Sequence, residues 1–149
     1  MTSACAHEQG VAGNPTIAMT VNSWGHPLAE WSIGPDGEGE YRAPADGAGN
    51  MPTGAPLVTQ QVSAGATGYE AIRDTLRPVE PYSGKELPCK NRITDQPYGE
   101  LSWTEGEQKK VFSYNTGCLD PEAKRVFGAM RSAWDQMKAF GEKGAAQPK

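Results

Sequence analysis

Apolar and polar residues alternate in the first part of the chain, a pattern typical of β-strands that bury one face. The alternation predicts strands over residues 16–21 and 28–33, a weaker third strand over 39–42, and a fourth over 57–62. A turn is predicted over residues 34–37, because a proline there presets φ and the flanking glycines accept positive φ. The shared buried face of the first two strands consists of Ile17, Met19, Val21, Ala29, Trp31 and Ile33.

A first helix is predicted after the fourth strand. Thr67, followed three residues later by Glu70, forms a capping-box pattern, in which each side chain accepts a hydrogen bond from an otherwise unpaired backbone amide. Pro78 then ends the helix, because the residue before a proline is disfavoured in the helical region. We therefore expect a helix that begins after Thr67 and extends over about ten residues.

A second, longer helix is predicted near the end of the chain. Asp120 is the expected N-cap, Pro121 occupies the first helical position, where no amide is needed, and Gly141 ends the helix. Apolar residues recur at helical spacing and form one continuous stripe, which indicates packing against a sheet. The stripe consists of Ala123, Val126, Phe127, Met130, Ala133, Trp134, Met137 and Phe140.

Three more strands are predicted between the helices, one near residues 90–94 and a hairpin made of residues 100–103 and 110–114. The complete order is βββ-β-α-βββ-α. Burying the helical stripe on such strands predicts an α+β fold, a two-layer sandwich of a mostly antiparallel sheet with two helices packed on one face.

The chain of 149 residues fits a single domain, expected over residues 16–141 between flexible tails at 1–15 and 142–149. Its 18 glycines and 12 prolines exceed the usual share and favour a β-rich domain with many turns. No element is predicted within residues 43–56, so this long connection is either mobile or functional.

The charge pattern argues against two classes of partner. The chain has 14 Lys and Arg residues, 18 Asp and Glu residues and a net charge of −4, without a run of basic residues. Neither a nucleic acid nor an anionic membrane therefore has an evident docking surface. No segment approaches the ~18 consecutive apolar residues of a transmembrane helix. Residues 1–10 lack the basic start and apolar run of a signal peptide.

The cysteines indicate the compartment. Cys89 and Cys118 each lie beside turn residues, and a disulfide between them would close a loop of about 30 residues, stabilising the fold by about 3–4 kcal/mol. The alternative is a pair of free, half-buried thiols in a cytosolic protein. We prefer the disulfide, which predicts a periplasmic or cell-envelope location. Cys5 is either the acylated first residue of a mature lipoprotein or, as the missing apolar segment favours, a free cysteine in the tail.

No metal site, cofactor or catalytic residue is predicted. Zinc would lack a C-x-x-C motif, and only His7 and His26 could supply nitrogen ligands. A lone loop histidine such as His26 could serve as a general base, but such residues are usually solvated. The acidic residues Asp36, Glu38 and Glu40 alternate beside a turn, which is typical of a solvated sheet face rather than a glycosidase pair.

Trp24, His26 and Tyr98 are the candidate ligand- or partner-binding residues. Trp24 and Tyr98 lie in predicted turns, where a large ring is expected to be partly exposed, and exposed aromatic residues are enriched at binding surfaces. We therefore expect a non-enzymatic binding or inhibitor-like module that contacts a partner, such as another envelope protein, through loops on a disulfide-stapled sheet. The alternative is a small hydrolase or carbohydrate-binding domain with a groove around Trp24 and His26. A deep pocket in which His26 faces a carboxylate would favour the alternative.

Overall fold

The computed structural model of the protein describes residue 11, residues 13–44 and residues 56–146. It confirms the α+β fold: six antiparallel strands form one sheet, and two helices pack against it. The elements in chain order are β1 (Thr16–Ser23), β2 (His26–Ile33), β3 (Glu38–Pro44), β4 (Leu57–Ser63), α1 (Gly65–Thr75), β5 (Tyr98–Glu105), β6 (Gln108–Asn115) and α2 (Pro121–Ala146).

The strands follow the order β4-β3-β2-β1-β5-β6, so β1 lies inside the sheet and β4 and β6 form its edges. The register of β1 on β2 shifts between Val21 and Asn22, which face Ala29 and Pro27. Leu28 therefore has no opposite residue in β1, the arrangement of a β-bulge.

The alternation in the sequence identifies the buried face correctly. The predicted inward residues of β1 and β2 are all buried, and most of the apolar stripe of α2 packs on them in one core. Sequence period and burial agree because each strand has one face on the helices and the other in solvent. The largest fully buried side chains include Trp103, Tyr69, Phe112, Ile17, Ile33, Ile72 and Leu76.

Helix α2 crosses the sheet from β6 to β4. Phe127 lies with its ring centroid 6.3 Å from that of Tyr114 in β6, and the indole nitrogen of Trp134 donates a hydrogen bond to the hydroxyl of Tyr41 in β3 (2.9 Å). The helix continues past Gly141 to Ala146, so the predicted end at Gly141 is wrong. A Cβ at Gly141 would lie 2.7 Å from Oε1 of Gln60. The glycine permits close packing of the helix on the sheet.

Helix α1 does not begin with the predicted capping box. It begins at Gly65 with Ala64 as the N-cap, and no side chain caps it. The chain enters α1 directly from β4 because Gly37 and Gly65 pack backbone to backbone. A Cβ at Gly37 would lie only 2.1 Å from the carbonyl oxygen of Gly65. The helix starts before Thr67, which is therefore inside it, and ends at Thr75, ahead of Pro78 as predicted.

The predicted strand over residues 90–94 is wrong, and the sheet has six strands instead of seven. In this segment an isolated bridge pairs Arg92 with Cys118. Cys89 and Cys118 form the predicted disulfide, with Cα atoms 5.9 Å apart. The segment is thus attached to the chain after β6 at single points, without the successive pairs of a ladder.

Asp120 precedes α2 as predicted, but its carboxylate has a different role. The backbone carbonyl of Asp120 accepts the amide of Lys124 (3.0 Å), as an N-cap residue does. Its carboxylate instead accepts the backbone amides of Lys90 (2.8 Å) and Asn91 (3.1 Å). The hydrogen bond from Lys90, together with those from Asn91, lowers the pKa of Asp120. Asp120 thereby holds the segment that was predicted as a strand.

A second carboxylate at the start of α2 ties that helix to the segment after α1. The Glu122 carboxylate accepts hydrogen bonds from the Arg125 guanidinium (2.7 and 3.0 Å) and from the Tyr82 hydroxyl (2.6 Å). These partners, Arg125 first, lower the pKa of Glu122 to about 2. The carboxylate is therefore ionised throughout the range in which most proteins work.

A buried ion pair holds the chain that precedes β1. Arg73 and Glu80 are 5% and 2% exposed, with Nε and Oε2 3.5 Å apart. Arg73 donates to the backbone carbonyls of Val11 and Gly13, and Glu80 accepts the amide of Val11 (3.1 Å). Part of the expected N-terminal tail, residues 11 and 13–15, is therefore fixed to α1. Cys5 and residues 45–55 of the long connection lie outside the described residues.

Candidate binding surface

One end of the sheet collects the exposed hydrophobic side chains. Because neighbouring strands are antiparallel, the last residues of β1, β3 and β6 lie beside the first residues of β2, β4 and β5. We call this the Trp24 end, after the turn between β1 and β2. The five exposed large hydrophobic residues in the described part of the chain all belong to it: Trp24, Val58, Ile93, Tyr98 and Leu119.

The opposite end of the sheet is polar. Its two hairpin turns, between β2 and β3 and between β5 and β6, carry the exposed acidic residues Asp36, Glu38, Glu105 and Glu107. Exposed hydrophobic side chains scattered over a surface need no explanation, but their restriction to one end indicates a surface that becomes covered.

Trp24 stands in a strained turn. Trp24 and Gly25 are the two loop residues of the β1–β2 hairpin, with φ of 53° and 79°. Positive φ at both positions defines a type I′ turn, in which Asn-Gly is the preferred pair. A bulky residue rarely adopts this conformation, which raises the energy of an L-residue by about 1–2 kcal/mol. The ring is 65% exposed, so tertiary burial does little to offset this strain.

Tyr98 supports the same turn. Its hydroxyl accepts a hydrogen bond from the Gly25 amide (3.1 Å), and its backbone pairs with Asn22 of β1. Its side chain is 37% exposed. His26, the first residue of β2, is exposed beside the turn. The structure thus brings the three predicted binding residues, Trp24, His26 and Tyr98, to one end of the sheet.

A groove opens between α2 and the Trp24 end. Two neighbouring cavities of about 610 and 490 Å³ form it, and they share Val21, Pro97, Arg131 and Trp134 in their walls. Val58 lines the larger cavity beside β4, and Leu119 lines the smaller one beside the start of α2. Trp24, His26 and Tyr98 belong to neither wall. The groove and the predicted residues therefore share an end of the sheet without forming one pocket.

The centre of the groove contains an aromatic ring and an ion pair between Arg131 and Asp135 (Nε–Oδ1 3.6 Å). The Trp134 indole is fixed by its hydrogen bond to the Tyr41 hydroxyl, and the Arg131 guanidinium lies 5.6 Å from the Trp134 ring centroid. A cation at this distance attracts the ring electrostatically. Burial is the main cause that raises the pKa of Tyr41, so its hydroxyl stays neutral near pH 7. This arrangement fixes one aromatic face and one guanidinium beside an open volume.

The sequence did not predict the groove. Trp134 was assigned to the apolar stripe of α2, and it is half-buried with its ring in the wall of both cavities. Helical spacing identifies which side of α2 faces the sheet, but the groove is also lined by residues such as Val21 and Val58, which lie far from α2 in the sequence. In the sequence, a charged residue beside the apolar stripe, such as Arg131, was the feature that could have indicated the groove.

One group of side chains has the composition of a metal site. Ligand atoms of Cys89, Cys118 and Asp120 lie within 4.8 Å of one another. Both sulfurs are joined in the disulfide, so neither is the thiolate that a metal needs. The Asp120 carboxylate is already occupied by the amides of Lys90 and Asn91. We therefore assign this group a structural role.

Comparison with protein-family models and with curated proteins found no relative of the chain. No model of a known protein family matches the chain, and no curated protein matches it. Neither of the described helices combines the length and the apolar character required to cross a membrane.

Proposed function

We propose that the protein is an exported, non-enzymatic binding module that recognises a partner protein through the Trp24 end of its sheet. The observation that carries this proposal is an exposed tryptophan held at positive φ in a two-residue turn. Backbone strain that brings no burial in return is typical of functional positions, where the strained residue is needed for recognition.

The surroundings of Trp24 support protein recognition. Large aromatic residues dominate the binding energy of many interfaces because each buries a large area with few rotatable bonds. Tyr98 lies beside Trp24 and fixes the turn through the Gly25 amide. The turn is therefore preorganised, which reduces the entropy lost on binding.

The disulfide supports the proposed location. Disulfides persist in oxidising compartments, and the bond between Cys89 and Cys118 lies next to the Trp24 end. Together with Asp120 it fixes the segment that carries Ile93. We accordingly propose the periplasm or the cell envelope as the place where the partner is met. An inhibitor-like action requires such a rigid loop surface.

The alternative, a hydrolase or carbohydrate-binding domain with a groove around Trp24 and His26, stays a prediction without a supporting observation. His26 is exposed and belongs to neither wall of the groove. Among the described residues, no hydrogen bond joins His26 to a carboxylate. The binding module is the function that the geometry supports better.

Site-specific photo-cross-linking in the source organism tests the proposal. A p-benzoylphenylalanine at position 24 is compared with one at Glu107, which is also exposed in a hairpin turn but at the opposite end. We expect a discrete protein adduct at position 24 alone. Excess wild-type protein should suppress the adduct, whereas excess Trp24→Ala should suppress it at least about tenfold less well, since hot-spot residues contribute 2 kcal/mol or more.

Two results would contradict the proposal. The first is the same adduct pattern at positions 24 and 107, which would indicate random encounters. The second is equal competition by wild-type protein and by Trp24→Ala, which would show that the ring does not contribute to binding. An adduct that contains a sugar or another small molecule would favour the alternative function.

A further inference from the structure

The smaller cavity of the groove, of about 490 Å³, has walls from four parts of the chain. They are β1, the turn before β5, the end of β6 with the residues after it, and one face of α2. The larger cavity contains Pro44, which adjoins residues outside the described part of the chain, whereas no described wall residue of the smaller cavity does. Cavities of this size are typical of small-molecule sites.

The floor of the smaller cavity is apolar. Met19, Val21 and Met130 are buried beneath it, and the half-buried Phe127 and Trp134 complete the apolar lining. A molecule that fills this cavity removes apolar surface from water only if its own surface is apolar as well. The floor therefore favours a ligand with an apolar body.

The charged residues in the described wall of this cavity are both cations. Lys124 and Arg131 are exposed on α2, and no acidic residue lines the cavity with them. No carboxylate in the described part of the chain pairs with Lys124. The partner of Arg131 is Asp135, which lines only the larger cavity and lies too far away for a hydrogen bond (Nε–Oδ1 3.6 Å). The donors of both cations are therefore available to an anion.

Gly128 lies between the two cations on α2. Lys124 precedes it by four residues and Arg131 follows it by three, so both are its neighbours on the helix surface. Glycine destabilises a helix interior relative to alanine. Gly141 packs closely on Gln60, but among the described residues no heavy atom outside the helix segment itself lies within 4 Å of a Cβ at Gly128. Packing within the described fold does not require this glycine, whereas a ligand that approaches the helix backbone does.

We infer that the smaller cavity binds an amphipathic anion such as a fatty acid. Its carboxylate lies over Gly128, between Lys124 and Arg131, and its apolar body covers Met130 and Phe127. Charge complementarity selects an anion over a cation of the same shape, and the apolar floor selects an amphipathic anion over a small hydrated one. The Trp24 ring takes no part in this site, so the inference goes beyond the proposed recognition of a partner protein.

Two amphiphiles that differ in charge test the site on the full, oxidised chain. Decanoate and decyltrimethylammonium share an alkyl chain, and ¹³C-labelled methionine methyl groups report where they bind. Met19 and Met130 line the cavity, whereas the buried Met137 belongs to neither cavity wall. We expect decanoate to shift the NMR signals of Met19 and Met130 alone of these three, with a dissociation constant on the order of 0.1–1 mM. Decyltrimethylammonium should bind about tenfold more weakly or less.

Matched substitutions locate the site on α2. Gly128→Leu fills the space above the glycine, and Ser132→Leu places the same side chain at an exposed position outside both cavity walls. We expect Gly128→Leu to weaken decanoate binding about tenfold or more without loss of stability, and Ser132→Leu to leave binding unchanged. The double variant Lys124→Gln, Arg131→Gln should weaken decanoate binding about tenfold, whereas Lys109→Gln at the opposite end of the sheet should not. Circular dichroism verifies that the variants are folded.

Several results would overturn the inference. One is the absence of a saturable shift of Met19 and Met130 at up to ~10 mM decanoate, and another is an equal shift of Met137. Equal affinity for the two amphiphiles would show that the cations do not select the ligand, and equal effects of Gly128→Leu and Ser132→Leu would place the ligand elsewhere. Cross-linking at position 24 is a separate measurement, so either proposal can fail while the other stands.

Discussion

Trp24 has a left-handed backbone conformation, so we expect a tryptophan at this position to lower the stability of the fold. Trp24 has φ of 53°, a conformation in which asparagine is several-fold enriched over other non-glycine residues. A several-fold population difference corresponds to about 1 kcal/mol. Replacing Trp24 by Asn should therefore give a fold about 1 kcal/mol more stable than replacing it by Ala.

Comparing two substitutions removes the contribution of the ring. Trp24→Asn and Trp24→Ala both delete the indole, so the third of its surface that is buried is lost equally in each. The remaining difference is the preference of Asn over Ala for positive φ. Substitution of Glu107 supplies the control, because this residue is also exposed in a two-residue hairpin loop but is not among those with positive φ. Asn and Ala at position 107 should differ by less than about 0.5 kcal/mol.

The assay is urea unfolding of all four variants with the disulfide intact, followed by far-ultraviolet circular dichroism, since fluorescence would change with the tryptophan content. A difference of 1 kcal/mol corresponds to about 2–4 °C in Tm for a chain of this size. The reasoning is refuted if the Asn–Ala difference at position 24 is no larger than that at position 107. A confirmed difference would show that position 24 favours a residue suited to positive φ, a preference that tryptophan does not meet.

Three further predictions concern the supports of the fold. The double substitution of Cys89 and Cys118 by Ser should lower the free energy of unfolding by about 3–4 kcal/mol, whereas a loss below about 1 kcal/mol in urea unfolding would contradict the loop-closure argument. Arg73→Leu leaves the buried Glu80 with the half-exposed Arg77 as its cationic partner (Nη1–Oε1 3.4 Å) and should destabilise by about 3 kcal/mol. Hydrogen exchange should then show the amides of residues 11 and 13–14 losing protection, and unchanged exchange would exclude the proposed attachment. Glu122→Gln should be less stable than wild type by up to about 1 kcal/mol at neutral pH, because the partly exposed pair is screened by solvent. The folded pKa of Glu122 is lowered to about 2, so its contribution is present above the unfolded pKa and disappears as the pH falls from about 4.5 to about 2. A difference between Glu122→Gln and wild type that persists at pH 2 in urea unfolding would contradict this assignment.

The local pattern of the sequence determined most of the secondary structure. Alternation over β1 and β2 identified the buried faces, because a half-buried strand repeats every two residues whatever it pairs with. The proline at the start of α2 acts through backbone geometry alone, so Pro121 was placed correctly. The disulfide was also predicted, because two cysteines beside turns and no metal motif left few other interpretations.

The errors arose where a distant residue competes with a local signal. Thr67 lost its capping role because Gly37 and Gly65 pack backbone to backbone, which starts α1 earlier. Gly141 lies inside α2, where the helix packs closely on Gln60 and Tyr41 of the sheet. Residues 90–94 form no strand because Asp120, Cys118 and Gly117 attach that segment at single points. In each case the deciding partner is far away in sequence.

The sequence by itself selected Trp24, His26 and Tyr98 as surface candidates, since residues in or beside turns are exposed in almost any fold, although Tyr98 is the first residue of β5 and not part of the predicted turn. Only the tertiary structure decided that these residues share one end of the sheet, that Tyr98 supports the Trp24 turn, and that Trp134 lines a groove there. The physical reason is that strand order and the path of α2 depend on side-chain packing between segments up to about a hundred residues apart. Periodicity reports which face of an element is buried, but not which element covers it.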